Sequence, residues 1–175
     1  MPNKTIFMVT LYLARHGQTV DNARHIMQGQ TQGELDAVGL EQARELAVKM
    51  QNVPIDVFVS SDLKRAVDTC AVVAAVHGQA VVTTPLLRER DWGGFTGLYI
   101  PDLKDRTWPD DIETLDALMH RAGLFLDYLR RDYDSMAVFA VGHGIINKAI
   151  QAVLFGKSMK DVMRMENAEV RKLSV

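Results

Sequence analysis

Two arginines and two histidines follow apolar runs in this sequence, at points where a buried strand would end. The stretch LYLARHGQTVDN places Arg15 and His16 directly after such a run, and VFAVGHG places His143 after another. A third run, VFVSSDLKR, is followed by Arg65. Arginine offers a rigid fork of donors that suits phosphate or carboxylate, and histidine can act as a nucleophile or move a proton. These residues together predict an oxyanion pocket, and four cationic or potentially cationic groups favour phosphate over a single carboxylate.

The surrounding pattern indicates the elements that must position these side chains. Strand-like apolar runs cover residues 6–14, 53–60, 80–83 and 136–142, with a further short run at 169–173. Between them, apolar residues recur at helical spacing in GLEQARELAVKMQ, SDLKRAVDTCAVVAAVHG, IETLDALMHRAGLFLDYLRRDY and IINKAIQAVLF. Strands that alternate with helices predict an α/β fold, here a three-layer sandwich with a mostly parallel central sheet flanked by helices. Ligands of such sheets bind beyond the carboxyl ends of the strands, where the arginines and histidines arrive.

Capping residues predict where the helices begin and end. Asp36 is suited to the N-cap of the first long helix, and Ser61 or Asp62 to the N-cap of the second. Gly78 and Gly156 are suited to end helices, because glycine adopts the left-handed conformation that follows many C-termini.

Bulk properties exclude several classes of protein. The 175 residues are expected to form one domain, 1–175, with a full hydrophobic core. A formal net charge of −2 argues against a nucleic-acid or membrane partner held by bulk electrostatics. Cys70 is the single cysteine, no signal peptide is evident, and no run approaches the length of a membrane span. A cytoplasmic location is therefore expected, and the sequence makes no prediction of oligomeric state.

The least regular segment, residues 91–111, is rich in Gly, Pro and Asp and is predicted to form a lid-like surface excursion. Tyr99 and Trp108 are candidate apolar walls for a ring or sugar. Its acidic residues, Asp102, Asp105, Asp110 and Asp111, disfavour a highly phosphorylated substrate.

Motifs along most of the chain resemble those of the histidine phosphatase superfamily, in its phosphoglycerate mutase-like branch. LARHGQTVDN is similar to the opening motif, SSDLKRAVDT to the second arginine motif, LLRERDWGGFTG to the acid-bearing segment and VGHG to the second histidine motif. QGQTQGELDAVGLEQA and NAEVRKL are similar to the segments near the first helix and the final strand. Gly142 stands where the family usually has serine or threonine, so one hydroxyl contact is expected to be missing.

The resemblance implies a role for each matching residue. His16 would be the nucleophile that becomes phosphohistidine, which requires a neutral imidazole with one nitrogen free and the other donating to a backbone carbonyl. The phosphoryl oxygens would be clamped by Arg15, Arg65 and His143, with neutral hydrogen bonds from Asn22 and Thr19 and a backbone amide beside Gly144. Glu89 would protonate the leaving alkoxide and then activate water. Glu113 and Arg121 are expected to form a structural pair.

Several alternatives stay open at this point. A short cover between Gly97 and His143 favours hydrolysis over mutase-type transfer, and a non-catalytic phosphate-binding or interaction module of the same fold is a further possibility. The partner is expected to be a small phosphomonoester: a nucleotide-loop phosphate from cobamide synthesis, a sugar phosphate, or alternatively a phosphorylated protein histidine. A cysteine phosphatase is rejected because Cys70 lies within a helical apolar face. No metal or other cofactor is predicted, because the arginines beside both histidines would repel a cation.

Overall fold

The computed structural model describes residues 8–175 of the chain, so the predicted start of the first strand at Ile6 lies outside the described residues. Ten regular elements follow in chain order: β1 (Thr10–Arg15), α1 (Val20–Ala23), α2 (Ala37–Met50), β2 (Val57–Ser61), α3 (Lys64–Ala75), β3 (Val81–Thr84), α4 (Leu115–Asp132), β4 (Ala137–Gly142), α5 (Gly144–Phe155) and β5 (Val170–Ser174). Each predicted strand and long helix is present. β2 begins at Val57 rather than at residue 53, after Pro54, which lacks the N–H that a ladder requires.

The strands form one sheet in the order β3-β2-β4-β1-β5. The pairs β2–β3, β2–β4 and β1–β4 are parallel, and β5 is antiparallel to β1. Apolar side chains on both sides of the sheet form two hydrophobic clusters: one joins the strands to α4 and α5, and the other joins them to α2 and α3. The predicted α/β sandwich with a mostly parallel central sheet is therefore confirmed.

The register of the two central strands determines where the candidate catalytic residues arrive. Arg15, the last residue of β1, pairs with Gly142, the last residue of β4. Since the strands are parallel, the residues that follow them, His16 and His143, emerge side by side at one edge of the sheet. The antiparallel β5 brings the residues that precede Val170 to this same edge.

Of the four predicted helix ends, three are as expected and one is different. Asp36 is the N-cap of α2 and accepts a hydrogen bond from Gly39 N, and Gly156 ends α5 with φ of 61°. Gly78, with φ of 64°, ends the turn that follows Ala75, the last residue of α3. The predicted capping of α3 by Ser61 or Asp62 is wrong, because Leu63 occupies the N-cap without a side-chain bond. Gln32 receives the first amides instead: its Oε1 accepts from Lys64 N at 2.9 Å and its carbonyl from Arg65 N at 3.2 Å.

Residues 91–111 form a surface excursion with two short 3₁₀ helices, Gly93–Phe95 and Ile100–Leu103. A small hydrophobic cluster of Phe95, Leu103 and Ile112 supports it, and Arg90 stacks on Trp92 with its guanidinium carbon 4.7 Å from the ring centroid. Across residues 8–175, none of the helices has both the length and the apolar character that crossing a membrane requires.

Candidate active site

His16 is buried directly after β1, and its ring is oriented by the backbone beside it. Its Nδ1 lies 2.7 Å from the carbonyl of Gly17, so that Nδ1–H donates there and Nε2 keeps its lone pair. The amide of Gly17 donates in turn to the hydroxyl of Thr69 at 3.0 Å. Burial, with the charges of Arg65 and Arg15, lowers the pKa of His16 well below its usual value of 6.5. The imidazole is therefore neutral at pH values near 7, as a nucleophile must be.

His143 faces His16 across the ends of β1 and β4. The two ring centroids are 5.0 Å apart with their planes tilted by 59°. His143 is fully buried, and its Nε2 lies 2.9 Å from the hydroxyl of Ser61 at the end of β2. Burial and the charge of Arg65 lower the pKa of His143 well below 6.5. A negative charge bound in the cavity beside His16 would favour protonation of His143.

Arg15 and Arg65 are both buried beside the two histidines. Nη1 of Arg15 donates to the carbonyl of Met165 at 2.8 Å, and Arg65 donates to the carbonyls of Gly29 and Thr31. The Nε atoms of both arginines are buried and have no protein acceptor among the described residues. Burial lowers the pKa of each guanidinium to about 10, so both remain charged at neutral pH. Both arginines line the cavity and supply positive charge to a bound anion.

Glu89 is held at the N-terminus of α5. Its Oε1 accepts from the amides of Arg90, Ile145 and Ile146 at 2.8–3.1 Å, whereas Oε2 accepts only from Ile145, at 3.1 Å. Because Oε1 is engaged by three donors, Oε2 has more remaining capacity for a proton. Helix amides and the carboxyl group thus fix each other in place.

An ion pair behind Glu89 fixes the chain that leads to it. Nη2 of Arg121 lies 2.7 Å from Oε2 of Glu113, which confirms the predicted structural pair. Arg121 also donates to the carbonyl of Arg88 at 2.6 Å, and it reaches the carbonyl of Glu89 at 3.4 Å. The pair therefore acts on the backbone that presents the Glu89 carboxyl group.

A cavity of about 290 Å³ opens at this edge of the sheet. Of the residues predicted from the sequence, Arg15, His16, Asn22, Arg65 and Glu89 line it. His143 is fully buried and does not line the cavity. An apolar wall completes the cavity and consists of Ile26, Met27, Trp92, Ile100 and Ile145.

Thr19 and Gly144, which were predicted to bind phosphate, make contacts that support the fold. Thr19 is fully buried as the N-cap of α1: its hydroxyl accepts from Asn22 N and donates to Gln28 Oε1, and it does not line the cavity. Gly144 packs under Arg164, and a Cβ added there would lie 2.7 Å from Nε of that arginine. The absence of a side chain at Gly144 leaves room for the guanidinium.

The expected apolar wall differs from the observed one. Trp108 is 55 % exposed and packs edge-on against Trp92, while Tyr99 is 45 % exposed and pairs with Ile26 through a backbone bridge. Neither lines the cavity, and Trp92 and Ile100 of the same excursion do so instead. The acidic residues of the excursion are also absent from the lining.

The segment before β5 supplies residues that sequence reasoning did not identify. Arg164 lines the cavity, and Asn167 donates to the carbonyl of His16 at 3.1 Å and to Asn22 Oδ1 at 3.3 Å. The direction of the last strand could have indicated that these residues reach the site. An antiparallel neighbour of β1 must deliver its preceding loop to the edge where β1 ends.

The contact between the hydroxyl of Ser61 and His143 was not predicted from the sequence either. Gly142 lacks the expected family hydroxyl, but Ser61 supplies one to His143 from the neighbouring strand. A side chain at position 142 would require Asn147 to move, because an added Cβ would lie 2.2 Å from Asn147 Oδ1.

The residues that could bind a metal ion and the single cysteine have the following surroundings. Within residues 8–175, the His, Cys, Asp and Glu side chains form no group of three or more that could hold a metal ion. Cys70 is fully buried against the sheet, and burial raises the pKa of its thiol to about 12. Such a thiol is not a thiolate nucleophile at neutral pH.

Comparison with known proteins agrees with this geometry. The profile of the histidine phosphatase superfamily (branch 1) matches residues 11–175. A 2,3-bisphosphoglycerate-dependent phosphoglycerate mutase from Methylorubrum populi is 32 % identical over 180 aligned positions, covering 90 % of this chain and 84 % of the relative. An uncharacterized phosphatase, PhoE, from Bacillus subtilis is 32 % identical over 151 positions, covering 84 % of this chain and 76 % of the relative. Among solved structures, a mycobacterial glucosyl-3-phosphoglycerate phosphatase superposes with a TM-score of 0.83 at 28 % identity, covering 95 % and 90 % of the two chains.

The chain belongs to the histidine phosphatase superfamily. Within it, the phosphatase relative and the phosphatase structure identify the chain as an enzyme of the phosphatase type.

Proposed function

We propose that the protein is a metal-independent phosphomonoesterase that transfers the phosphoryl group of a small metabolite to His16 and then to water. The observation that supports this most directly is the state of His16: Nδ1 is engaged by Gly17, Nε2 keeps its lone pair, and the ring borders the same cavity as Arg15 and Arg65. Residues 1–175 would form one catalytic domain acting in the cytoplasm, with residues 91–111 as its cover.

In the first step, Nε2 of His16 attacks phosphorus and the bond from phosphorus to the leaving oxygen breaks. Arg15 and Arg65 compensate the negative charge that spreads over the phosphoryl oxygens. His143, whose ring centroid lies 5.0 Å from that of His16, also compensates this charge. Asn22 adds a neutral hydrogen bond to the phosphoryl group. The leaving alkoxide receives a proton from Glu89, for which the less engaged Oε2 is the suitable atom.

In the second step, Glu89 takes a proton from a water molecule, whose oxygen attacks the phosphorus of phosphohistidine. The bond between phosphorus and Nε2 breaks, inorganic phosphate leaves, and His16 returns to its neutral form. The alkoxide that left in the first step and the water of the second use the same carboxyl group, so one residue serves as acid and then as base.

The size of the cavity favours a small substrate. Its volume of about 290 Å³ is at the lower end of the range for ligand sites. The relatives extend from a phosphoglycerate mutase to a glucosyl-3-phosphoglycerate phosphatase, so the leaving group is expected to vary within the family while the phosphoryl chemistry is shared. The apolar wall of Ile26, Trp92 and Ile100 would contact the carbon skeleton of the leaving group.

Hydrolysis of p-nitrophenyl phosphate in excess EDTA tests the proposal. We expect turnover by the wild type, and a loss of at least about a thousandfold in His16→Ala, because the covalent route disappears. His25→Ala is the matched control, since His25 is exposed and does not line the cavity. Activity that requires an added divalent metal, or that survives in His16→Ala, contradicts the proposal.

Transfer back to an organic acid is the competing reaction, because the 32 %-identical relative from Methylorubrum populi is a mutase. It would use the same phosphohistidine with a different acceptor. Phosphorus NMR of a reaction with 3-phosphoglycerate and a catalytic amount of 2,3-bisphosphoglycerate, which can phosphorylate the histidine, distinguishes the two: release of inorganic phosphate in step with the loss of 3-phosphoglycerate supports hydrolysis, and accumulation of 2-phosphoglycerate without phosphate release supports the mutase.

A further inference from the structure

Arg164 lines the active-site cavity but takes no part in the phosphoryl chemistry described above. Its guanidinium lies over Gly144, where an added Cβ would be 2.7 Å from Nε and 2.8 Å from Nη2. Across residues 8–175, no carboxylate forms an ion pair with Arg164. The residue is solvent-exposed overall, so a positive charge without a carboxylate partner lies where the cavity opens to solvent.

The backbone on both sides of Arg164 is anchored. Val162 and Met165 are buried, and the Met165 carbonyl accepts from Nη1 of Arg15 at 2.8 Å. Two residues further on, Asn167 donates to the carbonyl of His16. The segment therefore holds Arg164 in a defined place relative to the nucleophile, unlike an arginine on a freely solvated loop.

The balance of charge in the cavity leaves Arg164 available to bind a second negatively charged group, in addition to the phosphoryl group. A phosphoryl dianion matches the two charges of Arg15 and Arg65, and Glu89 is occupied with proton transfer. Arg164 then adds one further positive charge, which matches a single negative charge on the leaving group. A second phosphate would bring about 1.5 to 2 negative charges at neutral pH, more than one guanidinium compensates. The fork of donors on arginine suits a carboxylate.

We propose that Arg164 binds a carboxylate on the leaving group, so that the preferred substrates are small phosphomonoesters of hydroxy acids. This rests on the proposed phosphatase function, whose cavity it shares. The phosphoryl group would lie against Arg15, Arg65 and His16, the carbon skeleton would contact the apolar wall, and the carboxylate would meet Arg164. Specificity would thus come from the loop before β5 rather than from the residues that perform the reaction.

A matched pair of substrates tests the role of Arg164. 3-Phosphoglycerate and glycerol 3-phosphate differ in having a carboxylate or a hydroxymethyl group at one carbon. We expect kcat/KM of the wild type to favour 3-phosphoglycerate by about tenfold or more, as a charge-assisted hydrogen bond provides. Arg164→Met should reduce this ratio to about one, whereas Arg164→Lys should keep part of it, because the charge stays but the fork is lost.

The ratio separates recognition from a general electrostatic effect. The charge of Arg164 also lowers the pKa of Arg15 and of His16, but such an influence acts on both esters and cancels in the ratio. Arg130→Met is the matched control, since Arg130 lies in the last turn of α4, at the opposite edge of the sheet, and should leave the ratio unchanged. A ratio near one in the wild type, or an unchanged ratio in Arg164→Met, overturns the proposal.

A binding measurement makes the result independent of turnover. Calorimetry on His16→Ala, with and without Arg164→Met, should show tighter binding of 3-phosphoglycerate than of glycerol 3-phosphate only while Arg164 is present. If this preference is found but the wild type hydrolyses neither these esters nor p-nitrophenyl phosphate, the phosphatase proposal fails and the role of Arg164 stands. If both ligands bind equally to His16→Ala, the role of Arg164 is overturned whether or not the wild type is active.

Discussion

The hydroxyl of Ser61 lies 2.9 Å from Nε2 of His143, which joins the ends of two neighbouring parallel strands, β2 and β4. Both residues are fully buried, and Nδ1 of His143 has no acceptor among the described residues. Ser61 is therefore the contact that sets the orientation of this ring opposite His16. Through it, the strand that precedes α3 takes part in positioning the catalytic pair.

Replacing Ser61 with alanine should misorient His143. We expect Ser61→Ala to lower kcat/KM for p-nitrophenyl phosphate about tenfold and to destabilise the fold by about 1 kcal/mol, because Nε2 loses its buried partner. Ser60→Ala is the matched control: Ser60 is equally buried on the same strand, and its hydroxyl donates only to the carbonyl of Ser61. Denaturant unfolding and steady-state kinetics measure both effects. An equal loss of activity in the two variants would show that Ser61 acts only through stability.

The ion pair of Arg121 with Glu113 should matter for both stability and activity. Arg121→Met leaves a mostly buried carboxylate and the carbonyls of Leu86 and Arg88 without their donor, so we expect a loss of about 2 kcal/mol in the free energy of unfolding. Since the pair holds the backbone of Glu89, kcat should fall as well. Arg130→Met, a substitution on the same helix at an exposed position, should change neither quantity. Retained kcat in Arg121→Met would show that Glu89 is positioned by the α5 amides alone.

The two histidines should resist protonation below neutral pH. Burial and the guanidinium of Arg65 lower the pKa of both His16 and His143, so at about pH 6 both rings stay neutral whereas an ordinary imidazole is mostly protonated. The unfolded chain binds these protons first, so stability decreases as pH falls below about 6.5, by up to about 1.4 kcal/mol per pH unit for each ring. Nitrogen-detected NMR of the imidazoles, with the protein in urea as reference, measures the protonation. Protonation of His16 in the folded protein at its ordinary pKa would contradict the account.

Much of the site could be predicted because strand ends have a fixed geometry. Parallel strands deliver their following residues to one edge, so Arg15, His16 and His143 could be brought together from the sequence once the strands were identified. Arg65 was placed at the same edge because it follows a third strand-like run, whereas Glu89 was found through motif similarity, because its arginine neighbours alone would suit an exposed charge. The order of the strands was not predicted, although it is the order that makes β1 and β4 adjacent.

The residues that were missed depend on geometry that a sequence pattern does not encode. Arg164 reaches the cavity because β5 is antiparallel, and Ser61 meets His143 because of the β2–β4 register. Tyr99 and Trp108 were placed on the cavity wall in a segment without periodicity, where no rule indicates which side chain turns inward. Trp92 and Ile100 do so instead.

Capture of the phosphorylated enzyme tests directly whether the reaction passes through phosphohistidine at position 16. In Glu89→Gln the carboxyl group can neither protonate the leaving group nor activate water, so dephosphorylation should slow by about a hundredfold or more. p-Nitrophenyl phosphate, whose leaving group needs no proton, should still phosphorylate the variant. Glu41→Gln, on the exposed face of α2, serves as the control and should not accumulate label.

Mass spectrometry of the rapidly quenched and digested protein locates the phosphoryl group. The account predicts near-stoichiometric phosphate on His16 in Glu89→Gln and little in the wild type at steady state. Phosphate on any other residue, or turnover by Glu89→Gln without a phosphorylated His16, would contradict it.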